Sequence, residues 1–266
     1  MSSPKAWILS IGNEVVTGQI VNTNGSWLAR RLFMLGFQVK RIIALPDDEE
    51  EVVDTFKDAI RRNIDVVIST GGLGPTYDDR TSEFLAKALG EELIINAEAL
   101  KMIEEKYKMK GLKLTEHRIK MAKMPKSAKP LPNPVGIAPG ILVSKNNTII
   151  IALPGVPKEM QAVFDETVEE ILRSKAPRTF KAEKWIHVED IPESSLAPII
   201  EKILKKYPKV YIKSHPKGKE LEKPIIDLYI LSMSVVEEEA RKVAEEVCRE
   251  LIEELIRSGA KVKHEN

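Results

Sequence analysis

The stretch DVVISTGGLGPTYDDRT, residues 65–81, decides the fold class of this chain. The run VVIST near its start is rich in β-branched residues and typical of a buried parallel strand. The glycines Gly71, Gly72 and Gly74 then let the backbone turn into a helix, which the apolar spacing predicts over residues 80–89. A buried strand, a tight turn and a helix form the repeating unit of an α/β protein.

The same alternation extends through the first half of the chain. Buried strands are predicted over residues 6–11 and 37–45, each followed by an amphipathic helix. Asn24 is predicted to cap the first helix, and Asp47 or Asp48 the second. Because right-handed crossovers place helices on both faces of a parallel sheet, we expect an α/β protein with a three-layer α/β/α sandwich and a mostly parallel sheet.

The middle of the chain predicts an insertion, a hairpin and a further helix. Residues 92–130 form a basic, Met-rich segment with helical patterns, interpreted as either a dimer arm or a lid that supplies charge to phosphates. A hairpin is predicted over residues 141–153, turning at Asn146 and Asn147. A helix is predicted over residues 158–174.

A composition shift at Ala176 and Pro177 predicts a linker between two domains, residues 1–175 and 176–266. The pattern after the linker is strand, helix, strand, strand and a long amphipathic helix. We therefore expect a small C-terminal α+β domain, either KH-like or ferredoxin-like.

Composition excludes several classes of protein. The chain has 41 Lys and Arg against 40 Asp and Glu, so a net charge of +1 argues against a general nucleic-acid or membrane-surface role. Cys248 is the single cysteine, which fits a reducing compartment. The N-terminal apolar run is too short for a signal peptide or a membrane span. We therefore expect a soluble cytoplasmic protein, and the 30 % of charged residues favours a thermophilic source.

Three polar, glycine-containing clusters follow predicted parallel strands. They are GNEVVTGQIVNTN at residues 12–24, TGGLGPTYDDRT at 70–81 and PGVPKEM at 154–160. Because ligands bind at the carboxyl edge of open α/β sheets, we expect these clusters to gather there.

The second cluster predicts a phosphate site. Its glycines expose backbone amides before a helix, which suits an anion. It is not a Walker A loop, since no Gly-Lys-Ser/Thr ends it, and Tyr77 stands where a dinucleotide fingerprint needs a third glycine.

Paired carboxylates beside this turn point to a cation. Asp78 and Asp79 would repel a phosphate unless a divalent metal such as Mg²⁺, Mn²⁺ or Co²⁺ lay between them. The alternative is that one of them only caps the next helix. Glu14 is a further candidate, either as a metal ligand or water-orienting group or as an ordinary loop residue.

The other two clusters add candidate ligand contacts. Asn22 and Asn24 can cap the first helix or offer amides to a ligand. In the third cluster, Gly155 helps to shape a helix start, and Lys158 lies in its first turn. A lysine there opposes the helix dipole, which favours a phosphate-binding role.

These clusters, together with LPNPVGIAPG at residues 131–140, resemble those of the CinA-like family (competence/damage-inducible protein A). The resemblance covers roughly residues 6–174. It implies a molybdopterin-binding, or molybdenum-cofactor-biosynthesis (MoCF), domain fold, followed by a KH-like domain, in a homodimer. Some members hydrolyse the diphosphate bond of ADP-ribose and related nucleotides with a divalent metal. Longer members carry a C-terminal deamidase domain, which this sequence does not include.

The resemblance assigns roles to individual residues. It places the metal at Asp79, with Asp78 and Glu14 as further candidates for metal binding and catalysis. It implies a phosphate cradle of Gly71, Gly72, Gly74 and Thr76, and a substrate side lined by Asn133, Gly136, Pro139 and Gly140.

We therefore predict a metal-dependent hydrolase of nucleotide diphosphate linkages, an ADP-ribose pyrophosphatase. The alternatives are a molybdopterin-binding protein of molybdenum cofactor biosynthesis and a non-catalytic nucleotide-binding module.

The remaining candidates favour ordinary roles. The four histidines, His117, His187, His215 and His264, have no metal-ligand spacing. A lysine run with interleaved tyrosines in the second domain could follow a nucleic-acid backbone. The segment PKGK at residues 216–219, however, lacks the Gly-X-X-Gly clamp of an RNA-binding KH domain. We therefore expect a solvated lysine-rich face and no nucleic-acid partner.

Overall fold

The chain folds into two units, Met1–Pro177 and Arg178–Asn266. The computed structural model describes residues 3–177, 179–217 and 224–264. In chain order the first unit contains β1 (Lys5–Ile11), α1 (Asn13–Val16), α2 (Thr23–Met34), β2 (Gln38–Leu45), α3 (Glu49–Arg61), β3 (Val66–Thr70), α4 (Thr81–Leu89), β4 (Leu93–Ile95), α5 (Ala97–Met109), α6 (Glu116–Lys120), β5 (Lys123–Pro125), β6 (Lys129–Leu131), β7 (Gly140–Lys145), β8 (Thr148–Leu153), α7 (Pro157–Val163), a π-helical turn (Phe164–Val168) and α8 (Glu169–Arg173).

The main sheet is mostly parallel, as predicted. Its strand order is β2-β1-β3-β8-β7-β6. The first four strands in this order run parallel to one another. The predicted hairpin pairs β7 antiparallel with β8, and β6 then pairs antiparallel with β7. A separate antiparallel pair, β4 and β5, lies outside this sheet.

Alternation along β1 shows why the fold has three layers. Trp7, Leu9 and Ile11 pack into one core with residues of α3, α4 and α5. Ala6 and Ile8 pack into a second core with residues of α2, α7 and α8. Since neighbouring residues of a strand point to opposite faces, a strand that is buried from Ala6 to Ile11 needs helices on both sides. The three-layer α/β/α sandwich is confirmed.

Two local predictions change in detail. The side chain of Asn22, and not that of Asn24, caps α2 by accepting a hydrogen bond from the amide of Gly25. Asp48 caps α3, accepting from the amide of Glu51 at 3.0 Å. Asn24 lies in the first turn of α2 and serves another purpose, described below.

The predicted helical insertion contains more than helices. Its first helix, α5, buries Ala99 and Ile103 completely in the core of its own unit. Three strands of three residues each, β4, β5 and β6, also lie within it. Such short strands carry no measurable hydrophobic period, which is why the sequence did not predict them.

The second unit is a small α+β domain, as predicted. It contains β9 (Phe180–Glu189), α9 (Glu193–Lys206), β10 (Tyr211–Pro216), β11 (Ile225–Ser234), α10 (Glu237–Arg257) and β12 (Lys261–His264). The order βαββαβ and the antiparallel sheet β10-β11-β9-β12 are those of the ferredoxin-like arrangement. Of the two arrangements expected from the sequence, the topology therefore fits the ferredoxin-like one and not the KH-like one.

Cys248 belongs to the core of the second unit, where burial raises the pKa of its thiol. None of the described helices combines the length and the apolar composition that crossing a membrane requires.

Candidate functional site

A cleft of about 460 Å³ opens at the carboxyl edge of the main sheet. It lies where three neighbouring parallel strands, β1, β3 and β8, end. Each of the three clusters singled out in the sequence contributes to its lining, as expected for an open α/β sheet. The lining residues are Ile11, Gly12, Glu14, Asp47, Gly71, Gly72, Leu73, Gly74, Pro75, Asp78, Asp79, Tyr107, Met121, Ile137, Ala138, Pro154, Gly155, Val156 and Glu159.

The glycine turn passes too close to its neighbours for side chains. Gly71 has a φ of 107°, and a Cβ there would lie 2.0 Å from the carbonyl oxygen of Ile11. A Cβ on Gly72, with a φ of 68°, would lie 2.1 Å from Oγ1 of Thr81. The amide of Gly71 donates to the carbonyl of Leu153 at 3.1 Å. This amide, which we expected to face a phosphate, instead joins β3 to β8.

The next three amides are available to a ligand. Within the part of the chain that the structure describes, the amides of Gly72, Leu73 and Gly74 donate to no protein acceptor. Successive free amides form a concave anion site. Of the predicted phosphate cradle, the amides of Gly72 and Gly74 are therefore unengaged, whereas those of Gly71 and Thr76 already donate within the protein.

Asp78 and Asp79 share one hydrogen-bond donor. The hydroxyl of Thr76 lies within hydrogen-bond distance of both carboxylates, and its amide donates to Oδ2 of Asp79 at 2.9 Å. Neither carboxylate caps α4, since its N-cap residue is Arg80, so the capping alternative is wrong. The hydrogen bond from Thr76 lowers the pKa of Asp78, and the charge of Lys120 adds to this effect. Thr76 thus holds the two acids together.

Asp47 is a cleft residue that the sequence reasoning treated only as a possible cap. Burial raises the pKa of its carboxyl, and the nearby charges of Glu14, Asp78 and Asp79 raise it further. Its Oδ2 accepts a hydrogen bond of 3.0 Å from the amide of Asn13, which opposes this shift. Asp47 follows the carboxyl end of β2, so the rule that located the other clusters would have located it too.

Asn133 and Gly136 lie in the loop after β6, which is braced from α5. The ammonium of Lys106 donates to the carbonyl oxygens of both residues. Glu159, in the first turn of α7, accepts from Nδ2 of Asn133 at 2.7 Å. A Cβ on Gly136 would lie 1.8 Å from Oε2 of Glu159, so a side chain there would require the Glu159 carboxylate to move. Within the described residues, none of the four predicted for the substrate side lines the cleft, whose nearest lining residues in this loop are Ile137 and Ala138; the four are Asn133, Gly136, Pro139 and Gly140.

Lys120, and not the predicted Lys158, lies beside the glycine turn of residues 72–74. Lys158 is exposed and is absent from the cleft lining of the described residues. Lys120 of α6 donates to the carbonyl of Thr76. It also lines a cavity of about 150 Å³ on the other side of the glycine turn, with Lys123 and Arg80.

Asn24 lines a second cavity, of about 270 Å³, which shares Gly71 and Gly155 with the cleft. Its Nδ2 donates to Oγ1 of Thr70 at 3.0 Å and to the carbonyl of Gly155 at 2.8 Å. Its Oδ1 is buried and has no partner among the described residues. Asn24 therefore ties α2 to the ends of β3 and β8.

The donor set limits what kind of metal site is feasible. Within the described ranges, no group of three or more His, Cys, Asp or Glu side chains could hold a metal ion. Mg²⁺ is commonly held by one or two carboxylates together with phosphate oxygens and water. The pair of Asp78 and Asp79 fits such an ion only when a phosphorylated ligand completes the coordination.

Comparison with protein families identifies the first unit. The family model described as "Probable molybdopterin binding domain" (MoCF_biosynth) matches residues 7–174. This range covers every strand of the cleft.

Relatives match nearly the whole chain. A protein of Pyrobaculum arsenaticum is 49 % identical over 258 residues, which is 97 % of each chain. A protein of Sulfolobus acidocaldarius is 45 % identical over 258 residues, again 97 % of each. The crystal structure of the protein CinA with unknown function from Thermoplasma acidophilum is 42 % identical, with a TM-score of 0.60. That match covers 64 % of this chain and 99 % of the other.

Proposed function

The chain belongs to the molybdopterin-binding domain family and is CinA-like, and from this membership we propose that its cleft binds a phosphorylated pterin of the molybdopterin type. The observation that carries the proposal is the run of three free amides at Gly72, Leu73 and Gly74 beside Lys120. Backbone amides and a nearby ammonium can bind a phosphate without a metal, and here they must offset the repulsion from Asp78 and Asp79.

The opposite wall of the cleft suits a flat heterocycle. Tyr107, Met121 and Ile137 line it with apolar surface, and all three come from the insertion or from the loop after β6. A pocket with an apolar wall and few polar anchors is typical of small-molecule sites. The pterin ring would lie on this wall and the phosphate in the cradle.

The test is a titration of the full chain with anaerobically prepared molybdopterin in EDTA, followed by pterin fluorescence. We expect saturable binding that excess inorganic phosphate weakens, because phosphate competes for the cradle. An absence of binding, or binding that phosphate leaves unchanged, would overturn the proposal.

A second candidate is metal-dependent hydrolysis of a nucleotide diphosphate linkage, as in ADP-ribose. It is supported by the carboxylates of Glu14, Asp47, Asp78 and Asp79 around one cleft. A divalent cation held by Asp78 and Asp79 would neutralise charge on the diphosphate. Asp47 is a candidate proton acceptor, since burial raises the pKa of its carboxyl.

The two candidates differ in their need for metal. Hydrolysis predicts AMP release from ADP-ribose with Mg²⁺, Mn²⁺ or Co²⁺ and none in EDTA. Replacing Asp79 by Asn should abolish that release without weakening metal-free pterin binding, because it removes a negative charge beside the phosphate. Turnover by a correctly folded Asp79→Asn protein would exclude this assignment.

The homodimer that the family resemblance implies is part of the proposal. Sedimentation velocity of the purified chain tests it, since a monomer and a dimer of a 29.9 kDa chain separate clearly.

A further inference from the structure

The sheet of the second unit has one face covered by its own helices and one face that they leave open. Strand residues that pack against α9 and α10 alternate along β9, β10 and β11, and they are Ile186, Val188, Ile212, Ile226, Leu228 and Ile230. Because strand side chains alternate between faces, the residues between them point to the opposite face.

Four rings form a continuous row on this open face. Trp185 of β9 lies directly opposite Tyr229 of β11, and their ring centroids are 4.8 Å apart. The row continues to His215, 5.5 Å from Trp185, and to Tyr211, 6.4 Å from Tyr229. Trp185 is 41 % exposed and Tyr211 is 51 % exposed. A contiguous exposed aromatic surface marks an interaction site.

Positive charge lies along the edge of the same sheet. Lys213 lies on the edge strand β10 and Lys217 directly follows it, whereas Lys202 and Lys206 belong to α9 and pair with Glu254 and Glu250. Lys213 of β10 lies opposite Tyr229 and is exposed. A cavity of about 300 Å³ beside Trp185 is lined by His187, Lys217 and Asp227 as well. Lys217 pairs with Oδ2 of Asp227, and Oδ1 of the same carboxylate lies 2.7 Å from Nδ1 of His187.

We propose that this open face binds single-stranded nucleic acid. Bases would stack on Trp185, Tyr229 and Tyr211, and phosphates would follow the lysines of the β10 edge. Aromatic rings on the two central strands of a four-stranded βαββαβ sheet are what base stacking needs, and flanking cations hold the backbone. The aromatic row provides the first, and Lys213 and Lys217 at the β10 edge provide the second.

The sequence argument against nucleic acid does not apply to this fold. A Gly-X-X-Gly clamp is a feature of KH domains, and the described strand order is not KH-like. Residues 218 and 219 of PKGK lie outside the described residues. A net charge of +1 averages the whole chain and does not describe the local charge at the β10 edge.

The experiment measures fluorescence anisotropy of labelled single-stranded 12-mers, RNA and DNA, with the full chain at low salt. Trp185→Ala should weaken binding about tenfold or more, because one stacked base contributes roughly 1–3 kcal/mol. Phe180→Ala is the matched control. Phe180 is on the same strand and 43 % exposed, but it is an odd number of residues from Trp185 and so belongs to the other face of the strand. Trp185→Phe should restore most of the affinity.

The lysine contribution has its own test. Lys213→Ala should reduce the slope of log K against log salt by about 0.7, the value for one phosphate contact on a single strand. Lys242→Ala, an exposed lysine of α10, should leave the slope unchanged.

Three outcomes would overturn the proposal. They are no binding of either single strand, equal losses in Trp185→Ala and Phe180→Ala, or duplex binding as tight as single-strand binding. If nucleic acid does not bind and Trp185→Ala converts a dimer to a monomer in sedimentation, the face is an interface between copies of the chain, and the proposal is wrong.

Discussion

Asn133 donates a hydrogen bond of 2.7 Å from Nδ2 to Oε2 of Glu159, and this bond joins the loop after β6 to the first turn of α7. The same amide nitrogen donates to the carbonyl of Ala138, while Oδ1 accepts from the amides of Val135 and Gly136. With its donors and acceptor engaged and 3 % of its surface exposed, Asn133 holds the loop that carries the lining residues Ile137 and Ala138, and it has nothing left for a ligand.

Lys106 is expected to stabilise the loop after β6 that contains Asn133 and Gly136. Lys106→Met removes the donor to the carbonyls of Asn133 and Gly136. We expect a loss of roughly 1–3 kcal/mol in the free energy of unfolding, the cost of leaving buried polar groups unpaired. Urea unfolding measures it, with Lys108→Met, an exposed residue of the same helix, as the control. Equal stability of the two variants would show that Lys106 does not brace the loop.

Gly71 tests the close approach of the strand ends. Gly71→Ala combines a positive φ with a Cβ placed 2.0 Å from the carbonyl oxygen of Ile11. Gly18→Ala has a positive φ of 74° but no atom within 4 Å of its Cβ. We expect about 1 kcal/mol for Gly18→Ala from φ strain alone and a clearly larger loss for Gly71→Ala. Similar unfolding midpoints for the two proteins would contradict the packing described here.

Asp47→Asn should stabilise the protein at neutral pH. The pKa of Asp47 is higher in the folded chain than in the unfolded chain, so ionising this carboxyl costs more in the folded state and lowers the free energy of unfolding. The penalty disappears below about pH 4, where the carboxyl is protonated in both states. The Tm of the variant should therefore exceed that of the original chain at pH 7 and match it at pH 3. Asp48→Asn is the control, since Asn caps helices as well as Asp does. A lower Tm for Asp47→Asn at pH 7 would refute the pKa shift.

Glu83 should make stability depend on acid pH. Hydrogen bonds from Arg80 and Lys87 lower its pKa from 4.5 to about 2. Because the folded pKa is depressed, the stabilisation is complete above pH 4.5 and is lost as the pH falls towards 2. The difference in Tm between the original chain and Glu83→Gln should thus shrink over that interval. Glu104→Gln, at an exposed position of α5, should show no such trend.

The layered fold was predictable because its signals are local. Apolar strands, the N-cap at Asp48 and the left-handed Gly90 after α4 each follow from a few adjacent residues. The N-cap of α2 was uncertain because Asn22 and Asn24 are both good caps, and only the bonds of Asn24 to Thr70 and Gly155 separate them.

The site was predictable where it follows the strands and not where the insertion supplies it. Four of the predicted residues line the cleft because they lie in the segments that follow β1, β3 and β8. They are Glu14, Asp78, Asp79 and Gly155. Their roles in metal binding and catalysis remain predictions. Lys106 and Lys120 come from helices whose docking depends on tertiary packing, so no spacing rule could connect them to Asn133 or Thr76.

The most direct test of the account compares the molybdopterin affinity of the original chain with those of Lys120→Ala and Lys158→Ala, all in EDTA. Lys120 lines the smaller cavity that shares Gly72, Leu73 and Gly74 with the cleft, whereas Lys158 is exposed and, among the described residues, lines neither. Since a hydrogen bond to a charged group contributes about 1.5–3 kcal/mol, we predict at least tenfold weaker binding for Lys120→Ala and less than a twofold change for Lys158→Ala. Equal affinity of all three proteins, or a larger loss in Lys158→Ala, would contradict a phosphate cradle at Gly72 to Gly74.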